Sequence, residues 1–142
     1  MSLPFAFWDT SALIPLCVSQ PETAKARLLD ESYGIVAWWA TQVEMISGLT
    51  RLDRMGQITA EQFFVGKRIA RKIVSGWTSI DSTKSIATNA CLLLELYPLR
   101  AADALQLAAA LEWCEGKPNG NVFLSFDQRL REAAARSGFA LE

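Results

Sequence analysis

No histidine occurs anywhere in the 142 residues. That absence removes a Ser-His-Asp or Cys-His nucleophile pair, a histidine general base and a histidine ligand for zinc. Any chemistry must therefore run on carboxylates, hydroxyls, lysines, lone thiols or a bound metal. Cysteine is scarce too. Cys17, Cys91 and Cys114 are odd in number, far apart and without a CxxC pair, so neither a zinc knuckle nor a thioredoxin-like redox site is supported. They read as buried free thiols in a reducing cytoplasm. No uncharged apolar run approaches the ~18–20 residues of a membrane span. The opening stretch, MSLPFAFWDTSALIPL, lacks a positive n-region and carries Asp9 inside its apolar part, which makes it a poor signal peptide. Neither sign of charge dominates: 14 basic and 15 acidic side chains leave a net −1, which speaks against an obviously basic nucleic-acid binder and against a disordered acidic tail. No GxxxxGK[ST] is present, so a P-loop enzyme is not supported. The expectation is a soluble cytoplasmic protein.

With 51% hydrophobic residues the chain has ample material for a core, and no repeat, low-complexity tract or linker divides it, so residues 1–142 read as a single domain. LPFAFW at 3–8 is a short apolar run ending in Asp9-Thr10-Ser11, the pattern of a buried strand feeding a capped helix. Pro21-Glu22-Thr23 opens a second helix and GIVAWW at 34–39 is a second strand. A helix follows from Thr41 to about Arg54, with Val43, Ile46, Leu49 and Leu52 marking its packing face, and Gly56 stops it. Thr59 to Gln62 has capping-box spacing and starts a helix to about Val74. Residues 75–83 read as turns, 84–97 as a helix ended by Pro98, and 100–114 as an Ala/Leu helix closed by Gly116 and Pro118. NVFLSF at 121–126 is a strand, QRLREAAARSG a helix, and FALE a last edge strand. Alternating strands and helices imply an α/β fold: helix-rich, three-layered, with a short, mostly parallel central sheet.

Two acids occupy equivalent places. Asp9 and Asp127 each follow an apolar strand run and precede a helix, so both emerge at the carboxyl edge of a parallel sheet, where open α/β folds bind ligands. Each also reads as a plain helix N-cap. Asp103 lies in the first turn of the Ala-rich helix, where the macrodipole favours an anion. Leu107, Ala110 and Leu111 continue its face, placing it at the head of an apolar stripe with only Arg100 nearby as a partner. Glu44 is in the first turn of the 41–54 helix, and its alternative is a solvated helix glutamate. Gly48, one turn on, would let another element approach closely. Converging unpaired carboxylates raise one another's pKa values, and a divalent cation resolves the conflict. An all-oxygen donor set suits Mg²⁺ or Mn²⁺ and a substrate carrying phosphate. Ser11 and Ser125 stand beside this group. Ser125 shares a strand face with Asp127, and Ser11 either caps its helix or supports a metal-bound water.

WDTSAL at 8–13, TQVEM at 41–45, RAADALQLAAAL at 100–111 and LSFDQRL at 124–130 together resemble the PIN domain, specifically the VapC-type toxins of bacterial toxin–antitoxin pairs. The resemblance covers essentially the whole chain, with the four acids in the family's order. It implies a Mg²⁺- or Mn²⁺-dependent endoribonuclease whose metal-site carboxylates are Asp9, Glu44, Asp103 and Asp127, with Ser11 as the small hydroxyl residue after the first aspartate. It also implies a small cognate antitoxin protein that blocks the acidic pocket, and a homodimer or toxin–antitoxin hetero-oligomer. Gln106 departs from the pattern, since many members have histidine there.

Arg51, Arg54, Lys67, Arg68, Arg71 and Lys72 stand against only Asp53 and Glu61 between positions 51 and 72. They read either as a phosphate-tracking RNA face or as a solvated helix surface. Trp8, next to Asp9 on a strand, should point to the opposite face and pack in the core, whereas Trp38 and Trp39 cannot face the same way. The competing reading is a catalytically silent scaffold for an antitoxin-type repressor, with the acids serving as caps. A phosphatase of the haloacid dehalogenase type would need an aspartate where Ser11 stands.

Overall fold

The computed structural model describes residues 2–142. Strands β1 (Phe5–Trp8), β2 (Gly34–Trp38), β3 (Thr78–Ile80) and β4 (Val122–Leu124) form one sheet in the order β3-β2-β1-β4. Every pairing is parallel: Ala6 lies opposite Ile35 on one side and Val122 on the other, and Val36 lies opposite Thr78. Parallel neighbours need long crossovers, and here each crossover is a pair of helices. α1 (Thr10–Cys17) and α2 (Thr23–Ser32) join β1 to β2, and α3 (Thr41–Arg54) and α4 (Ala60–Gly76) join β2 to β3. α5 (Lys84–Leu96) and α6 (Ala101–Trp113) join β3 to β4, and α7 (Gln128–Ser137) follows. No described helix is long and apolar enough to cross a membrane.

Strand alternation splits the core into two layers. Phe7, Val36, Trp38 and Phe123 face α5, α6 and α7, where Ile86, Ala90, Leu107 and Leu130 complete the packing. Phe7 and Phe123 stack with centroids 5.5 Å apart. Ala6, Trp8 and Leu124 face the other way, against Leu13, Met45, Leu49 and Ala70. Trp8 is thus fully buried, as its place beside Asp9 requires. Trp38 is buried while Trp39, past the strand end, is 40% exposed. The capping box at Thr59 forms, with Gln62 N–H donating to the Thr59 hydroxyl at 3.1 Å and the Thr59 N–H donating to Gln62 Oε1 at 2.7 Å. Gly48 sits where an added Cβ would run into the end of Ile14, so its missing side chain lets α1 approach α3.

Four expectations change. Of the three cysteines expected to be buried only Cys17 is, since Cys91 lies on the exposed side of α5 and Cys114 at the half-buried end of α6. The segment 75–83 contains β3, a three-residue edge strand too short and too exposed to show an apolar signature. FALE contributes only a single parallel bridge, Ala140 to Val122. On α3 the buried positions are Thr41, Met45 and Leu49, spaced by four, whereas Val43 is 62% exposed and Ile46 36%. The spacing by threes traced a stripe that drifts off the packed face.

Candidate active site

The order β3-β2-β1-β4 puts the topological switch at β1, whose connection leaves toward β2 while the last strand arrives on its other side. Ligands of open α/β sheets bind beyond the carboxyl ends of strands at such a switch. Asp9 follows β1 and Asp127 follows β4, so both emerge at that edge.

Asp9 is at once an N-cap and a buried acid. Its Oδ1 accepts from the Ala12 N–H at 3.2 Å and from the Ser11 hydroxyl at 2.7 Å, and its Oδ2 accepts from the Ser125 hydroxyl at 3.0 Å. Only 4% of its surface is exposed. Burial pushes its pKa up to about 7, against the pull of those hydrogen bonds and with a smaller push from Asp127. The serines also tie two corners together. The Phe126 N–H donates to Ser11 Oγ at 2.9 Å, and the Asp127 N–H donates to Ser125 Oγ at 3.0 Å. Asp127 caps α7, its Oδ1 accepting from the Leu130 N–H at 2.9 Å. Arg131 braces the same corner by donating to the Ser125 carbonyl at 3.0 Å.

Glu44 and Asp103 enter from the first turns of α3 and α6. Burial raises the Glu44 pKa, opposed by hydrogen bonds from Thr10 and Gln106 and reinforced by the charge of Asp103. Burial likewise raises that of Asp103, with Asp127 adding to the rise and Arg100 opposing it. Asp9, Glu44, Asp103 and Asp127 line one cavity of about 510 Å³, together with Ser11, Thr10, Gly48, Arg51 and Gln106. The structure therefore brings all four acids to one cavity, with Ser11 also lining it and Ser125 reaching it only through its hydrogen bond to Asp9.

As a donor set these residues fit a hard divalent ion. All are carboxylate oxygens, and the three with raised pKa values are held there by burial, with like charge adding to it. Among the described residues no three acids or thiols sit close enough to make a ready metal cage. Mg²⁺ characteristically keeps several waters and takes only one or two carboxylates beside substrate phosphates, so an open group of this kind suits it better than a closed one.

The six basic residues separate. Arg51 lines the acidic cavity, and Arg54 lies on the adjoining exposed face of α3 with Val43, Ile46 and Met55. Lys67 and Arg71 line a groove of about 430 Å³ against Gln42 and Ile46, with the Lys67 ammonium 4.3 Å from the Phe63 ring centroid. Arg68 and Lys72 lie instead with Val65 and Ile69 on another flank of α4. Thr10, Thr41 and Gln106 were not singled out as site residues by sequence reasoning. The available signal was Gln106 itself, a lone amide in an Ala/Leu run three residues after Asp103.

A family model described as PIN domain matches residues 6–136. No curated protein sequence matches the chain. Among solved structures, a toxin–antitoxin complex from Klebsiella pneumoniae is similar at 20% identity and a TM-score of 0.60, over 87% of this chain and 88% of that one. FitAcB from Neisseria gonorrhoeae matches at 16% identity and a TM-score of 0.64, over 96% of each chain. VapBC2 from Rickettsia felis, bound to a DNA fragment from its promoter, matches at 11% and 0.60, over 97% of each.

Proposed function

Because the chain belongs to the PIN-domain family, we propose that it is a Mg²⁺- or Mn²⁺-dependent endoribonuclease acting as the VapC-type toxin of a toxin–antitoxin pair. The observation that carries this reading is the meeting of four acids, from three separate crossovers and the last strand, in one cavity at the switch point of the sheet. The structural likeness to toxin–antitoxin complexes, itself a likeness of fold, supports a small antitoxin as partner. The working unit is one domain over residues 1–142, in a homodimer or a hetero-oligomer with that antitoxin.

When bound, the divalent ion supplies polarisation of the scissile phosphodiester and a water of lowered pKa. The protein's own groups do the rest. Asp9 and Asp103 are the principal ligands, and the Ser11 and Ser125 hydroxyls fix both Asp9 oxygens so that little reorganisation accompanies binding. Glu44 holds a water or accepts a proton, a role suited to a carboxylate whose pKa burial has raised. Asp127 completes the group. The RNA backbone runs from the cavity past Arg51 and Arg54 toward Lys67 and Arg71, where cations offset phosphate charge. Arg68 and Lys72 contribute only through general charge.

The test is incubation of purified protein with total RNA in Mg²⁺, Mn²⁺ or EDTA, followed by sequencing of new 5′ ends. Metal-dependent ends that vanish in Asp9→Asn are expected. Ends that persist in that variant sink the assignment, and a complete lack of metal-dependent ends favours the silent-scaffold reading.

A further inference from the structure

The buried face of α6 is apolar at Ala104, Leu107, Ala108, Ala109 and Ala110, yet it also buries Gln106, which is 1% exposed. The two hydrogens of Gln106 Nε2 are shared among three acceptors, Thr41 Oγ1 at 2.9 Å, Thr10 Oγ1 at 3.2 Å and Glu44 Oε2 at 3.2 Å. The Thr10 hydroxyl donates its only proton to Glu44 Oε1 at 3.1 Å. Gln106, Thr10 and Glu44 therefore close a ring that grips both carboxylate oxygens from the protein side. Gln106 Oε1, by contrast, is buried without any hydrogen-bond partner.

That orphaned carbonyl is informative. Leucine or methionine would fill the same volume on this helix without stranding an acceptor. Turning the amide over gives no relief, because it aims the carbonyl dipole at the Glu44 carboxylate and strands the amide hydrogens instead. The observed orientation is the one an ionised carboxylate demands, since hydrogen bonds to charged acceptors are the stronger kind. Packing alone does not explain an amide here; contact with Glu44 does.

We propose that Gln106 is a positioning residue, which holds Glu44 toward the cavity and, through Thr10, ties it to the corner carrying Asp9. The inference rests on the role assigned to Glu44 under the proposed function. It is tested in the full chain by Gln106→Met, which keeps the volume and removes both donors, with Gln106→Leu as a second variant. Thermal unfolding, Mn²⁺ binding by calorimetry, and kcat and KM on an RNA that the wild type cuts are measured together. The expected result is a melting temperature at or above that of the wild type, because the stranded carbonyl is gone. Mn²⁺ affinity and kcat fall about 10- to 100-fold while KM for RNA stays nearly constant. A folded variant with undiminished Mn²⁺ affinity and kcat overturns the proposal. So does failure of both variants to fold, since the role is then structural.

A crystal structure of the metal-free Gln106→Met protein gives a readout independent of catalysis. A Glu44 carboxylate that has left Thr10 supports the proposal, and one still in place overturns it. If the wild type neither binds Mn²⁺ nor cuts RNA, the proposed function fails, and this structure alone decides the role of Gln106.

Discussion

Replacing Asp9 by asparagine should stabilise the metal-free protein, and increasingly so as the pH rises. Unfolded, the carboxyl ionises near its ordinary 3.8; folded, burial lifts it to about 7. Below the first value both states hold the proton and burial imposes no electrostatic penalty. Between the two the unfolded chain has released its proton while the folded chain keeps it, so stability falls with rising pH, and above about 7 the penalty is complete. This is the reverse of the usual salt-bridged aspartate. The span corresponds to a ceiling of roughly 4 kcal/mol at pH 8, large beside a typical total stability of about 5–15 kcal/mol. Asparagine forgoes part of this gain. Its carbonyl can still accept from Ser11 or the Ala12 N–H, but its NH₂ confronts the Ser125 hydroxyl, which must rotate to become an acceptor. That mismatch costs about 1–2 kcal/mol at every pH, so the slope rather than the offset is diagnostic. Unfolding of both proteins in chelator at pH 5, 6, 7 and 8 measures it. The variant's advantage should grow by about 2–3 kcal/mol across that range, or roughly 5–10 °C in Tm. A difference between the two proteins that does not change with pH would refute the argument, because it would mean that Asp9 ionises alike in both states.

Three further outcomes are expected. Gly66→Ala should destabilise the fold by about 1 kcal/mol, the overpacking outweighing the gain in helix propensity. Its new methyl would lie 3.0 Å from Val18 Cγ1 and 3.3 Å from the Cys17 carbonyl, and denaturant melts showing a more stable variant would contradict this. Under the proposed function, Arg51→Ala with Arg54→Ala should flatten the salt dependence of RNA binding by about two charges, measured as log Kd against log salt. Arg68→Ala with Lys72→Ala should alter it less, and equal effects would remove the distinction between the exposed face of α3 and this flank of α4. Under native conditions at pH 8, Cys91 should react with a thiol reagent while Cys17 stays silent until unfolding. Cys91 is exposed, whereas burial lifts the Cys17 thiol to about 12 and denies it a thiolate. Labelling of native Cys17 by mass spectrometry would contradict this.

Much of this architecture was legible in the sequence because each part announced itself locally. An apolar run ending in an acid marks both a strand end and a helix cap, so the sequence alone places Asp9 and Asp127 at one edge. The helices of 41–54, 84–96 and 101–113 carry capping residues, breakers or composition that bound them to within a residue or two. What stayed hidden is decided by neighbours. Thr78-Ser79-Ile80 becomes a strand only because the exposed edge of β2 is there to pair with. Val43 and Ile46 looked like core because apolar residues usually are, but α3 turns Thr41 and Met45 inward beside the expected Leu49. Gln106 and Thr10 are 96 positions apart, and nothing local says that they share a carboxylate.

The pairing of β1 with β4 joins two segments that are made far apart in time, since every other strand and six of the helices lie between them. Until residue 124 has left the ribosome, β1 has no neighbour on that side, and Asp9 lacks the hydroxyl of Ser125 that holds one of its oxygens. α1, α3 and α6 have all been synthesised before then, yet Asp127 and the corner that carries it do not exist. Completion of the acidic cavity therefore waits on β4, and a chain cut short before that strand lacks Asp127 and the hydroxyl that holds Asp9.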